Sequence, residues 1–115
     1  MVYKLKSLFS VFGASGYRYK FIPYIFGVVL GVEDALPAEG AVFIFLRRAY
    51  DRLLRRFKYE LLYCGQTDNL SDLSVRELSG KYPALCNANC VAVLYEGDAA
   101  VRNKVTEDII CRNFT

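Results

Sequence analysis

Ten residues, Leu61-Leu62-Tyr63-Cys64-Gly65-Gln66-Thr67-Asp68-Asn69-Leu70, constrain this chain more than any others. An apolar run rich in β-formers meets a glycine, then three short polar residues, then leucine-rich sequence of helical character. That order predicts a strand from Tyr59 to Cys64 that feeds a helix from Asn69 to Ser79 through a tight turn. Gly65 is expected to take a positive φ or to admit a close neighbour. Thr67, Asp68 or Asn69 would accept hydrogen bonds from the first N–H groups of the helix. Helix N-termini attract anions, so the corner either simply connects or faces a phosphate.

Other stretches have simpler signals. Ala41 to Leu46 is apolar without interruption, which predicts a central strand buried on both faces. Tyr17 to Phe21 alternates aromatic with basic residues, the pattern of a half-buried strand or of a base-stacking surface. Cys90 to Tyr95 reads as a further strand. Asp98 is a good N-cap for a last helix to about Arg112, with Val101, Val105, Ile109 and Ile110 on its apolar face. Met1 to Phe12 is expected as an edge strand or ordered arm, Gly13 to Gly16 as a turn, and Glu33 to Gly40 as a loop.

Between the two central apolar runs lies the strongest charge feature. Arg47, Arg48, Arg52, Arg55, Arg56 and Lys58 fall within twelve residues, against the single acid Asp51. The interleaved Leu46, Ala49, Tyr50, Leu53, Leu54 and Phe57 have helical spacing, which predicts a short helix. Such a charge run is either a solvated face or a phosphate-binding surface.

A chain of 115 residues makes one domain, residues 1–115, with a single modest core. Nine tyrosines and eight phenylalanines in a 54% hydrophobic composition make it globular. A net charge of +3 permits nucleic-acid binding without demanding it. Cys64, Cys86, Cys90 and Cys111 lack the spacing of a zinc ribbon, and histidine is absent from the chain. They read as small buried thiols in a reducing compartment. The longest apolar run, Phe21 to Val32, is broken by Pro23, Gly27 and Gly31 and falls short of the roughly 20 residues of a membrane helix. The expected setting is cytoplasmic, with no membrane partner.

Tyr63-Cys64-Gly65-Gln66-Thr67-Asp68-Asn69-Leu70 resembles the second motif of the GIY-YIG nuclease superfamily, and Gly40-Ala41-Val42-Phe43-Ile44-Phe45 resembles its first. Phe12-Gly13-Ala14-Ser15-Gly16 with Tyr19 and Phe21, Lys81-Tyr82-Pro83 and the closing helix to Arg112-Asn113 are similar to further stretches of small bacterial members. The resemblance implies an α+β fold, a small three-stranded antiparallel central sheet flanked by helices, here with an N-terminal strand or arm extension. In that family the two motif strands are joined by a hairpin, so Arg47 to Lys58 is either an inserted helix, the expectation favoured here, or an extended hairpin.

The family cuts phosphodiesters with one divalent metal, Mg or Mn, held by a glutamate, with motif tyrosines near the attacking water and a helix arginine on the transition state. Carried over residue by residue, the first tyrosine position is Phe43, which has no hydroxyl. Tyr63 keeps the second. The arginine position falls on Leu73, with Arg76 one helical turn later, and the glutamate position on Thr106, with Glu107 beside it. Asn113 corresponds to a terminal asparagine. The resemblance with these departures implies impaired catalysis, so the leading expectation is binding of DNA or RNA through Arg47, Arg48, Arg52, Arg55, Arg56 and Lys58. The alternatives are a metal-dependent endonuclease using Tyr63, Arg76 and Glu107, and a protein-interaction module that kept the fold without the chemistry.

Overall fold

The computed structural model describes residues 2–26, 36–72 and 87–114. Side-chain alternation, rather than helical spacing, governs most of them. The strands are β1 (Val2–Lys4), β2 (Phe9–Phe12), β3 (Arg18–Phe26), β4 (Ala41–Asp51), β5 (Arg56–Thr67) and β6 (Cys90–Tyr95), followed by the helix α1 (Ala99–Asn113). A single 3₁₀ turn, Leu70–Asp72, is the described part of the helix expected after Thr67; the rest of that expectation lies outside the described residues.

All pairings are antiparallel, in the order β1-β3-β6-β4-β5, with β2 on the first half of β3. This overturns the expected three-stranded sheet flanked by helices. β5, β4 and β6 are indeed neighbours with β4 in the middle, but β3 pairs on the outer edge of β6 and carries β1 and β2 with it. The open edge of β6 is closed by Ile22 to Ile25 of β3, a nine-residue strand that runs on past the Tyr17 to Phe21 alternation. One α-helix, α1, is present among the described residues.

The sheet curls into a half-closed barrel. The ring of Phe9, near one end of the strand order, lies 4.8 Å from that of Tyr59 on β5 at the other end. A bulge assists the curl: the register slips between Phe45 and Leu46, so Leu62 and Tyr63 of β5 both pack on the same side.

Both faces of the sheet are covered. On one, Val42, Ile44, Leu46, Cys64, Cys90 and Ala92 meet Val105 and Ile109 of α1. On the other, Ala41, Phe43, Phe45, Val91 and Val93 meet Leu36 and Leu70. Ala41 to Leu46 is therefore buried at every position, as its unbroken apolar sequence requires. Asp98 caps α1, accepting from the N–H groups of Ala100 and Val101. The buried stripe of α1 is Arg102, Val105 and Ile109, whereas Val101 and Ile110, expected inside, are exposed. Val105 and Ile109 point inward as expected, and the first inward position is taken by Arg102 instead of Val101.

Asp108 fastens the opposite flank. Its carboxylate accepts from the Ser15 N–H at 2.8 Å, the Ser15 hydroxyl at 2.6 Å and the Tyr19 hydroxyl at 2.7 Å. Asn113 donates to the Phe12 carbonyl at 2.9 Å. These bonds bind the β2–β3 turn to α1 and make the N-terminal strands part of the same body. The Ser15 and Tyr19 hydroxyls hold the Asp108 carboxyl below its ordinary range, and burial together with that bond pushes the Tyr19 phenol up to about 12. Among the described residues no helix is long and apolar enough to cross a membrane.

Candidate nucleic-acid interface

Arg47 to Lys58, expected as a helix, is a β-hairpin: β4 runs on to Asp51, four residues turn, and β5 begins at Arg56. Two readings competed for the same letters. With period two, Arg48 and Tyr50 face Tyr59 and Phe57, while Arg47, Ala49 and Asp51 face Glu60, Lys58 and Arg56. The ladder outcompetes the helix because it extends the β4–β5 pairing without interruption and gives each side chain a cross-strand partner. Leu53 and Leu54, which completed the helical pattern, form the turn instead.

The turn is held at several points. Asp51 Oδ1 accepts from the N–H groups of Leu53 at 2.9 Å and Leu54 at 3.1 Å. Its Oδ2 pairs with the Lys58 ammonium at 2.8 Å. Lys58 and these N–H groups hold the Asp51 carboxyl below its usual range. Arg55 closes the turn in the left-handed region, at φ 53°. A residue in that region at the end of a short hairpin loop turns the chain back into the second strand.

The root of the arm is braced by Asn89. Its Oδ1 accepts from the Arg48 N–H at 2.6 Å and its Nδ2 donates to the Arg48 carbonyl at 2.8 Å. The side-chain amide thus replaces one more rung of β6, and β4 continues beyond it with β5 alone. On the stem, the Arg48 guanidinium lies 3.4 Å from the centroid of Phe57 and donates to the Tyr59 hydroxyl at 3.1 Å. Tyr50 meets Phe57 edge-on with ring centroids 5.2 Å apart. A groove of about 520 Å³ runs beside the stem, with Lys6 and Phe9 on one wall and Arg48, Phe57 and Tyr59 on the other.

Lys58 is neutralised by Asp51, Arg48 is spent on stacking, and Arg47 donates to the Asn87 carbonyl at 3.3 Å. Arg52, Arg55 and Arg56 are exposed, and no ion pair or hydrogen bond occupies them among the described residues. The tip therefore presents three uncommitted guanidinium groups on a stiff two-stranded support.

The motif residues lie elsewhere and account for each other structurally. Phe43 is 3% exposed and sits opposite Gly65 in the ladder. A Cβ on Gly65 would lie 2.9 Å from Phe43 Cζ and 3.0 Å from Tyr63 Cε2, so this glycine admits two rings rather than a positive φ. Gln66 and Asp68 hold Arg102, which is 2% exposed. Arg102 donates from Nε to Gln66 Oε1 at 2.9 Å, from Nη1 to the Glu96 carbonyl at 2.9 Å and from Nη2 to the Asp68 carboxylate. A Cβ on Gly40 would lie 2.5 Å from Arg102 Nη1, so the first-motif glycine makes room for the arginine. Asn69 caps the short turn, its Oδ1 accepting from Ser71 N–H and hydroxyl, and Leu70 is buried in the core. Arg102, Asn89 and Asp108 escaped the sequence reading. Their types are those of solvated residues, and no local pattern marks them as inward.

Of the residues expected to cut phosphodiesters, Tyr63 packs with Phe43 on the sheet face away from α1, their ring centroids 6.0 Å apart. Glu107 stands on the exposed side of α1, which covers the opposite face, beside Ala14, Lys104, Asp108 and Cys111. These two are not brought together, and Arg76 lies outside the described residues. The surroundings of Glu107 do not fit a divalent metal. Lys104 is a cation, and both oxygens of Asp108 are taken by Ser15 and Tyr19. Among the described residues no three His, Cys, Asp or Glu side chains gather to hold an ion. Burial pushes the Cys64 thiol up to about 12 and the Cys90 thiol to about 11, so both are packing groups, while Cys86 lies outside the described residues.

No family model, curated protein or solved structure matches this chain.

Proposed function

We propose that this protein binds nucleic acid through the β4–β5 arm. The observation that carries the reading is the set of uncommitted arginines at the tip, Arg52, Arg55 and Arg56, on a hairpin whose own acid is already neutralised by Lys58. An arginine held off the body of the protein, with its five N–H donors unspent, suits a phosphate better than an internal partner. Arg47 lies on the stem, and Lys6 and Arg48 border the adjoining groove, so positive charge continues from the tip to the sheet.

Titration of fluorescent DNA and RNA oligonucleotides, duplex and single-stranded, at increasing salt tests this. Each phosphate contact contributes roughly 0.7–0.9 to the slope of log affinity against log salt. Replacing Arg52, Arg55 and Arg56 together by Ala is expected to flatten that slope by about 2–3 on the same scale. Absence of binding by the unaltered protein at low salt removes the reading and leaves a protein-interaction role as the one to pursue.

A further inference from the structure

The residue at the end of the arm is of a kind that phosphate binding alone does not use. Leu53 is 94% exposed, more than any other large apolar side chain among the described residues, and Leu54 beside it is 53% exposed. Turns of this type ordinarily take short polar residues or glycine at their centre, which cost nothing in water. Here two leucines stand between Arg52 and Arg55. We infer that the arm engages duplex nucleic acid, with Leu53 inserted as a wedge between base pairs and the duplex bent away from it. This rests on the nucleic-acid reading of the arm.

The geometry of the arm fits that task. Its length is suitable: past the Asn89 brace, three residues of each strand and the turn project. At roughly 3.3 Å per residue the strands alone reach about 10 Å, against a groove depth of roughly 7.5–8.5 Å in B-form DNA. Two-stranded ribbons enter either groove, and aliphatic wedges partly unstack a base step and kink the duplex. The tip is also preorganised. Asp51 fixes the N–H groups of Leu53 and Leu54, and Lys58 fixes Asp51, so the wedge is presented without ordering a loop on contact. Arg52 and Arg55 flank the wedge, and Arg56 follows one residue later, where each can reach a phosphate bordering the opened step.

The same observations favour a duplex over a single strand. Single strands are held by free aromatic faces on which bases stack. On this arm the Phe57 ring is stacked by the Arg48 guanidinium and Tyr50 is turned edge-on to it, while the foremost group is aliphatic. Unstacking is cheapest at pyrimidine–purine steps, so a duplex with a central TA step should be bent most readily.

The test uses a duplex of about 30 base pairs with a central TA step and a donor and acceptor dye at its ends, a length on which a bend is measurable. The protein is expected to raise energy transfer between the ends. Leu53→Ser should keep the salt slope of binding and lose that rise. Because the chain has no tryptophan, Leu53→Trp places a single indole at the tip. Its emission should be quenched by the duplex and left unshifted by vesicles rich in phosphatidylserine. Bending that survives Leu53→Ser overturns the wedge while leaving nucleic-acid binding in place. Preference for a single strand, with no bending of the duplex, overturns it as well. A blue shift on vesicles without quenching by the duplex overturns it in favour of a membrane-dipping tip. No binding to any nucleic acid at low salt removes the underlying reading and the inference together.

Discussion

Changing Gly65 to Ala is expected to destabilise the protein, against the usual sense of that substitution in a strand. Gly65 does not have a positive φ, so backbone strain is not the cause. Alanine in place of a strand glycine would ordinarily gain roughly 0.5–1 kcal/mol from reduced backbone freedom in the unfolded chain. The added methyl, however, would lie 2.9 Å from Phe43 Cζ, 3.0 Å from Tyr63 Cε2 and 3.3 Å from Tyr63 Oη. Carbon atoms pack best at roughly 3.5–4.0 Å, so two rings must retreat by about half an ångström or more. Phe43 has little room to do so, being buried with the Phe45 ring centroid 5.5 Å away. Overpacking of this kind costs about 1–3 kcal/mol, so the entropic gain leaves a net loss of about 1 kcal/mol at the middle of that range and roughly 2.5 kcal/mol at its top. A domain of this size should melt several degrees lower, at about 4 °C per kcal/mol. Phe43→Leu removes the Cζ atom, so the double variant should lose less than the two single variants together, with a coupling of about 1 kcal/mol. Urea unfolding followed by circular dichroism, with m values unchanged across the set, reports all three. A neutral or stabilising Gly65→Ala, or strict additivity with Phe43→Leu, would refute the close approach of these rings.

Two further predictions concern the polar anchors of α1. Arg102→Met fills much of the same volume without the three donors and strands the Glu96 carbonyl, so chemical denaturation should show a loss of about 1–3 kcal/mol. Gln66→Ala should cost less, since its side chain is exposed to water. Asp108 gives a pH dependence: its carboxyl is held below the usual range by the Ser15 and Tyr19 hydroxyls, so its contribution is complete above the ordinary carboxylate pKa and is lost as pH falls through the lowered one. Tyr19 acts at the other end: its pKa is raised, so stability is complete below 10.0 and declines as pH rises toward about 12. Thermal melts of Asp108→Asn across acid pH should be flatter than those of the unaltered protein, and an unchanged acid limb would contradict the clamp on Ser15.

Patterns short enough to be local were legible in the chain itself. Ala41 to Leu46 is apolar at every position, and a strand with neighbours on both edges and cover on both faces is its physical consequence. Cys90 to Tyr95 and the Asp98 cap of α1 were likewise readable, because a β-rich run and a side chain that accepts from nearby N–H groups act over a few residues. The nonlocal features were settled only by tertiary structure. Arg47 to Lys58 satisfies helical spacing and strand alternation alike, and cross-strand pairing with Asn89 bracing the root selects the hairpin. Whether β3 joins the edge of β6 depends on a partner some 70 residues distant in the chain, which no local period encodes. Arg102 has the sequence character of a surface residue, and it becomes a core residue because Gln66, Asp68 and the Glu96 carbonyl converge on it where Gly40 leaves room. Periodicity specifies which side chains avoid water, but the partners that let a charged one do so are supplied by the rest of the fold.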